Sequence, residues 1–579
     1  MRRLLRRATR YGRNLGADKP FMYKLVRVVV EVMKGYYTYL QDKEAIVTKQ
    51  IQIEEEKFLM TLESGEKRLL DYINNQEVKV VNKEMAFLLY DTFGFPFELL
   101  VEVASEHDFT VDETGFRELL QLQKERARNA RNTKQSMNVQ NEDMLAFTKE
   151  SVFVGYEVLE TNSKVVGLFK DGRMVNSASG EVIAVFDKSG FYGESGGQIG
   201  DIGTLTLNQQ HYPVTDTIKL PNMQSGLVID MKEAELKLND EVYLAVDEEF
   251  RNDIRANHSA THLLNEALRQ EVGSHVIQQG SQVSNNVLRF DFNNFTPLTN
   301  EEILKVEKLV NQQINKHHEV RTLIMPLNEA KKLNVQAVFG EKYQDMVRVV
   351  DMDFARELCG GTHVNNTKEI KKFAIISIET KGSGIFRIEA ATKDHIRDEL
   401  SRTLENINKD LENTLEKINI ILESSKNNNI DLEYVNIELS DEVDSYQMVI
   451  NRRQELELVK NALKELDKNY NRIKRSQNVV SLDDFLPQVE KINQQNILIT
   501  TVEDMDVETV KDLVDRLSDH LPDSLIFMAL KANDKVIFIC KNKVDSLDAG
   551  KLVKMAAIAA KGNGGGRKDF AQAGGKDIT

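Results

Sequence analysis

The sequence predicts a multidomain α+β protein, and three features carry that expectation. Hydrophobic spacing is helical to about residue 145 and changes to short alternating runs from about 150. A charged, nearly glycine-free helical period then runs from about 396 to 480, and strand-like and helix-like segments alternate to the end. Length agrees, because 579 residues at about 150 per domain make roughly four domains. The expected parts are a helical region over 1–145, a small β-barrel over 150–248, an α/β domain over 249–395, a long helical hairpin or coiled coil over 396–480, and a small C-terminal α/β domain over 481–579.

The helical region opens with R-R-L-L-R-R-A-T-R-Y-G-R, whose arginines alternate in pairs with Leu4, Leu5 and Ala8. An Arg-rich, acid-free start fits either a transit peptide or an amphipathic helix. Helical spacing continues in F-M-Y-K-L-V-R-V-V-V-E-V-M and I-E-E-E-K-F-L-M-T-L. In Y-D-T-F-G-F-P-F-E-L-L a glycine ends one helix and Pro96 precedes the next. A polar stretch from 131 to 142 reads as a linker. The runs K-V-V-G-L-F, E-V-I-A-V-F and G-T-L-T-L are barrel strands. Residues 250–395 mix helices and strands, L-S-R-T-L-E-N-I-N-K-D-L has the coiled-coil texture, and I-L-I-T-T-V, L-I-F-M-A-L and V-I-F-I-C are the last domain's strands.

An apolar content of 41% suffices for ordinary cores and excludes a disordered chain. The two cysteines, Cys359 and Cys540, exclude a disulfide scaffold and point to a reducing, cytoplasmic setting. No apolar run reaches the roughly 18 residues of a membrane span, so no membrane partner is expected. A net charge of −15 argues against nonspecific nucleic-acid binding by the whole molecule. Cations nevertheless cluster at Arg2, Arg3, Arg6, Arg7, Arg10 and Arg13, at Lys124, Arg126, Arg128, Arg131 and Lys134, and at Lys561, Arg567, Lys568 and Lys576. Such patches can hold a polyanion locally, with an affinity that falls as salt rises; the bland reading is solvated helix faces.

The chemistry concentrates in H-S-A-T-H (258–262) and C-G-G-T-H (359–363). On a helix His258 and His262 share a face and can offer two imidazoles to one ion. Cys359 and His363 have the same spacing across a glycine turn. Either pair alone is weak evidence, but both occur in a chain with only ten histidines and two cysteines. Imidazole and thiolate donors favour one zinc ion over calcium or magnesium. The metalloprotease glutamate is missing after His258, which argues against peptide hydrolysis. The loop G-F-Y-G-E-S-G-G-Q-I-G-D-I-G (190–203) lacks the Gly-Lys-Ser/Thr of a P-loop; its glycines could bring backbone N–H groups and Gln198 close to a ligand, or form barrel turns. G-N-G-G-G-R-K-D near the end suits a phosphate backbone or a flexible tail.

These pieces, in this order, resemble the alanyl-tRNA synthetase family over nearly the whole chain: R-R-L-L-R-R-A-T-R-Y-G-R, P-F-M-Y-K-L-V, Y-D-T-F-G-F-P, G-F-Y-G-E-S-G-G-Q-I-G-D, H-S-A-T-H-L-L, C-G-G-T-H and G-G-G-R-K-D-F-A-Q-A-G-G. The two metal-type motifs alone would equally fit threonyl-tRNA synthetase editing modules or free-standing alanyl-tRNA editing proteins. The resemblance implies a helical tRNA-recognition region, an editing domain, a coiled coil and a tRNA-binding C-Ala domain. It implies zinc on His258, His262, Cys359 and His363, tRNA contacts from Arg2, Arg3, Arg6, Arg7, Arg10, Asp91, Arg567 and Lys568, and Gln198 and Thr362 as catalytic candidates that hold the substrate. tRNA(Ala) is the implied partner, with Ser-tRNA(Ala) and Gly-tRNA(Ala) as substrates of hydrolysis and homodimerisation through the C-terminal region as an option. The chain is expected to begin after the class II catalytic domain, hence not to aminoacylate alone, with ATP and Mg belonging only to a full-length parent. F-R-I-E (386–389) and G-N-G-G-G-R (562–567) resemble class II motifs only superficially. Proofreading has a physical reason: a pocket for alanine rejects serine or glycine by only about 10- to 200-fold. Two competing readings are a non-catalytic tRNA-binding or dimerising remnant and a zinc-scaffolded interaction protein.

Overall fold

The computed structural model describes residues 2–76, 78–129, 142–333, 335–336, 344–382, 384–441, 443–477, 481–503, 505–532 and 535–577. The expected linker over 131–142 falls outside these residues except for Glu142. The chain forms two units, one of residues 1–403 with 442–450, the other of 404–441 with 451–579.

The first unit begins with helices α1 (Arg2–Asn14), α2 (Leu25–Met33), α3 (Leu40–Asn74), α4 (Lys83–Asp91), α5 (Phe97–Glu106) and α6 (Glu113–Asn129). Phe58, Leu62, Leu69 and Ile73, spaced as one helical face of α3, pack with Leu89, Phe95, Leu100 and Val103. Between α4 and α5, Gly94 takes φ +63°, a left-handed turn that glycine adopts freely, and Pro96 is the N-cap of α5. P-F-M-Y is ordered by a buried acid: Glu55 accepts hydrogen bonds from the backbone N–H groups of Phe21, Met22 and Tyr23. The amphipathic reading of the N-terminus holds for α1, but not with all its arginines outward. Arg10 is 2% exposed and paired with Glu102 and Glu106, so it is an internal anchor rather than a surface cation for a polyanion.

Six strands then close a barrel: β1 (Glu160–Lys170), β2 (Glu181–Phe186), β3 (Gly203–Leu207), β4 (Gln210–Lys219), β5 (Ser225–Asp230) and β6 (Glu241–Val246). They hydrogen-bond in the order β6-β3-β4-β5-β2-β1, and β6 returns to pair with β1. Alternate residues such as Val165, Leu205, Leu227 and Leu244 fill its interior. Closure leaves no exposed edge.

The long helix α7 (Glu248–Glu271) follows directly, capped by the Asp247 carboxylate, which accepts from Phe250 N–H. It lies against a four-stranded antiparallel sheet ordered β7 (Gln278–Val283), β8 (Leu288–Asn293), β13 (Ile385–Thr392), β12 (Phe373–Gly382), with α8 (Asn300–Ile314) packed beside it. A smaller sheet runs β9 (Arg321–Pro326), β10 (Met346–Asp351), β11 (Arg356–Leu358). The helix is tied to the barrel by Arg251, which is fully buried, pairs with Asp201 and donates to the carbonyls of Gly155 (2.8 Å) and Gly190 (2.7 Å). Such a pair, with its remaining donors satisfied, fixes orientation more than it adds stability.

In the second unit, α9 (His395–Asn427) and α10 (Tyr446–Gln477) supply the coiled-coil region, their ends lying in the first. Leu411 and Ile418 pack with Val459 and Leu466. Of the two expected arrangements, hairpin or coiled coil, the hairpin is corrected here. Asp410 lies 3.6 Å from Lys460 and Asn428 donates to Tyr470 at 3.1 Å, so residue numbers rise together along both helices and the pair is parallel. The residues between them run back alongside, with Ser440 bonded to Glu455. A return is sterically easy, because extended chain covers about 3.3 Å per residue against about 1.5 Å in a helix. The C-terminal part is a six-stranded sheet ordered β14 (Glu490–Ile492), β15 (Gln495–Glu503), β16 (Ser524–Ala532), β17 (Lys535–Asn542), β19 (Phe570–Gly575), β18 (Asn563–Gly566), with β15 and β16 parallel. Helices α11 (Val507–His520) and α12 (Ala549–Ala559) pack against it. The glycine-rich segment is thus strand β18, not a tail. Arg567 and Lys568 are exposed in the turn that follows.

Candidate metal centre

His258 and His262 sit one turn apart on α7, which is buried on all sides over this stretch. Cys359 follows β11, and the turn that continues from it carries His363. The two distant segments meet: the ligand atoms of His258, His262, Cys359 and His363 all lie within 4.8 Å of one another. Cys359 Sγ is 3.4 Å from His258 Nε2 and 3.4 Å from His363 Nε2. His258 and His262 are nearly buried, whereas Cys359 and His363 retain some exposure, so the cluster faces outward on the turn side.

Each imidazole is held from behind through Nδ1. His258 Nδ1 faces Gln198 Oε1 at 2.8 Å, His262 Nδ1 faces Glu357 Oε2 at 2.5 Å, and His363 Nδ1 faces Ser259 Oγ at 3.2 Å. Gln198 Oε1 also accepts from Thr362 N–H, and the Glu357 carboxylate can only accept. Both rings therefore carry hydrogen on Nδ1 and aim Nε2 into the cluster. His262 Nε2 is buried and has no hydrogen-bond partner, as a waiting ligand atom would be.

Charge follows the geometry. Burial alone raises the Cys359 thiol, but the three imidazoles outweigh it and hold the thiol well below its ordinary value. Burial lowers His363 to about 3. At His262 burial acts the same way, yet Glu357 and Cys359 overcome it and carry the ring up to about 10. A thiolate among imidazoles, with one orphaned nitrogen, is a donor set that fits zinc.

The turn is clamped by residues the sequence reading missed. Tyr156 donates its hydroxyl to Gly360 O at 2.6 Å, and Arg348 donates to Cys359 O and Gly361 O at 2.8 and 3.0 Å while lying 4.2 Å over the Tyr156 ring. The 190–203 loop reaches the cluster along β7. Gly197 has φ +82°, and a Cβ there would lie 2.4 Å from Ser281 O, so only glycine allows the Val283–Gly197 hydrogen bond of 2.7 Å that aims Gln198 at His258. Gln198 and Thr362 are 0% and 1% exposed and bonded to each other at 3.0 Å. In this structure their polar atoms are engaged with each other, with His258 and with the turn.

The other expected residues lie away from the cluster. Arg6 pairs with Glu54 at 2.8 Å, Arg7 is exposed against Tyr11, and Asp91 is exposed and accepts from Gln123 at 2.6 Å. The side chains of Arg2 and Arg3 are outside the described set.

Comparison with known proteins places these features. Residues 347–389, which hold Glu357, Cys359 and His363, match the profile "Threonyl and Alanyl tRNA synthetase second additional domain". Residues 494–579 match the "DHHA1 domain". The alanine–tRNA ligase of Acholeplasma laidlawii (strain PG-8A) is 39% identical over 575 residues, covering 99% of this chain and 63% of that protein. The chain is thus similar to an alanine–tRNA ligase over nearly its whole length. The alanine–tRNA ligase of Bacillus subtilis (strain 168) is 36% identical over 586 residues, covering 100% of this chain and 63% of its own length. The chain thus spans 63% of the length of both these ligases. Among solved structures, the C-Ala domain of the Aquifex aeolicus alanyl-tRNA synthetase is 28% identical, covering 16% of this chain and 84% of that one, but a TM-score of 0.15 gives it no structural weight. The profile "tRNA synthetases class II (A)" matches residues 1–250. That match overturns the expectation that the class II part is lacking, and with it the conclusion that the chain cannot aminoacylate. Among the described residues no helix is long and apolar enough to cross a membrane.

Proposed function

We propose that the chain works in the cytoplasm in joining alanine to tRNA(Ala), and that its four-ligand centre supplies hydrolytic proofreading by removing serine or glycine esterified to that tRNA. The observation that carries this reading is the convergence of His258, His262, Cys359 and His363 within 4.8 Å from segments about a hundred residues apart. ATP and Mg belong to the ligation step, and one zinc ion to the hydrolytic centre.

The chain's own residues divide the work. His258, His262, Cys359 and His363 would hold the ion, and a bound zinc supplies a Lewis acid able to orient the aminoacyl end or activate water. Gln198 and Ser259 keep two of the rings facing inward. Arg348 and Tyr156 fix the glycine turn, leaving Gly360 open to solvent with nothing within 4 Å of its would-be Cβ, so a substrate can approach there. The exposed cations Arg7, Arg567 and Lys568 are candidates for tRNA phosphates, alongside Arg2, Arg3 and Arg6.

The test is deacylation. The zinc-loaded protein should hydrolyse Ser-tRNA(Ala) and Gly-tRNA(Ala) and spare Ala-tRNA(Ala), and a His363→Ala variant should lose most of that rate. Persistence of the seryl ester with zinc bound would reject the hydrolytic reading. A second reading has one observation in its favour: four protein donors are what a closed, structural zinc site uses. It predicts zinc retention without ester hydrolysis.

A further inference from the structure

The three imidazoles do not have equivalent outer partners. Those of His258 and His363 are neutral, the Gln198 amide and the Ser259 hydroxyl. That of His262 is the Glu357 carboxylate, 5% exposed and 2.5 Å from Nδ1. Glu357 is itself held in place. Its other oxygen accepts from Asn265 Nδ2 at 2.7 Å, and the same amide reaches Gln336 Oε1 at 3.1 Å. Gln336 pairs with the strand that carries Glu357: its N–H donates to Arg356 O and its carbonyl accepts from Leu358 N–H.

We propose that Glu357 is a positioning residue for the metal, accepting the Nδ1 hydrogen of His262 and so fixing Nε2 as the ligand atom. The inference rests on the reading of the cluster as a metal site. Two physical effects follow from the contact. A carboxylate on Nδ1 selects the tautomer with a free Nε2 and makes that nitrogen a better donor. It also settles the charge of a buried place: a dication, the Cys359 thiolate and the Glu357 carboxylate sum to zero. A neutral side chain could accept the same hydrogen bond without the desolvation cost of a buried anion. In the metal-free protein the ring's own second proton can balance the carboxylate, and a cation bound at Nε2 would take that proton's place.

The experiment uses the full chain, stripped of metal and titrated with zinc against a chromophoric chelator, with cobalt(II) loaded separately for its visible spectrum. Glu357→Gln keeps volume and a hydrogen-bond acceptor but removes the charge. It is expected to weaken zinc binding by about 10- to 100-fold and to change the cobalt spectrum. Asn265→Leu leaves every ligand intact but lets Glu357 turn away, and should weaken zinc binding in the same direction by a smaller factor; it carries the test if the first variant does not fold. Wild-type binding with unchanged affinity in the variants would overturn the role of Glu357 while leaving the metal site standing. Failure of the wild type to bind zinc would overturn the metal reading and this inference together.

Discussion

Gly361 shows how a single residue can decide the centre. A Cβ there would lie 2.1 Å from His258 Cε1 and 2.5 Å from its Nδ1, in a place where the Gln198 oxygen is also only 2.9 Å away. Gly361→Ala must therefore displace a ligand ring, and the variant is expected to emerge from dialysis with less than about a tenth of the wild-type zinc, since outer-sphere changes alone already cost about 10- to 100-fold in affinity. Gly360→Ala meets nothing within 4 Å and should retain zinc fully. Equal metal content in the two variants, measured by atomic emission, would contradict this packing argument. The four converging residues were legible because histidine and cysteine are scarce in the chain and recur at one spacing. Glu357 and Ser259 were not, since acids and serines are common; the available signal was that Glu357 lies two residues before Cys359 in extended chain, which puts both on one face.

At the scale of elements, one buried acid joins three of them. Glu307 on α8 accepts from Ile375 N–H on β12 at 2.8 Å and from Tyr446 N–H at the start of α10 at 3.0 Å. Burial pushes its carboxyl up to about 7, although both N–H groups and Lys372 pull it down. The folded protein therefore binds this proton more tightly than the unfolded chain, whose carboxyl titrates near 4.5. The stabilising contribution is complete below about 4.5 and is lost as pH rises through about 7, a change of about 3 kcal/mol. Unfolding of the wild type between these values should show a downward trend with pH that Glu307→Gln lacks; parallel curves for the two proteins would refute it. Elements with strong periodicity, such as α3, α7, α9 and the barrel strands, were legible one by one. The direction of α10 against α9 was not, because heptad-like spacing specifies an apolar stripe and is indifferent to whether the partner runs parallel or antiparallel.

For the molecule as a whole, the division into two units carries a thermodynamic consequence. The four candidate metal ligands all belong to the unit of residues 1–403 with 442–450. Scanning calorimetry should resolve more than one transition, and zinc should raise only the one that reports this unit, by about 2.7 kcal/mol at a hundredfold excess over Kd. An equal shift of every transition would show that the units unfold together. By itself the sequence determined the α+β class, the barrel, the helical regions and which four histidine and cysteine side chains to bring together as candidate ligands, because periodicity, turn residues and rare side chains are local properties. Only the tertiary structure decided that Arg10 points inward, that the two long helices run the same way, that Gln198 and Thr362 stand behind the centre, and that a carboxylate backs His262. These depend on contacts between residues from 42 to 164 positions apart, and no local pattern specifies which distant backbone a side chain will meet.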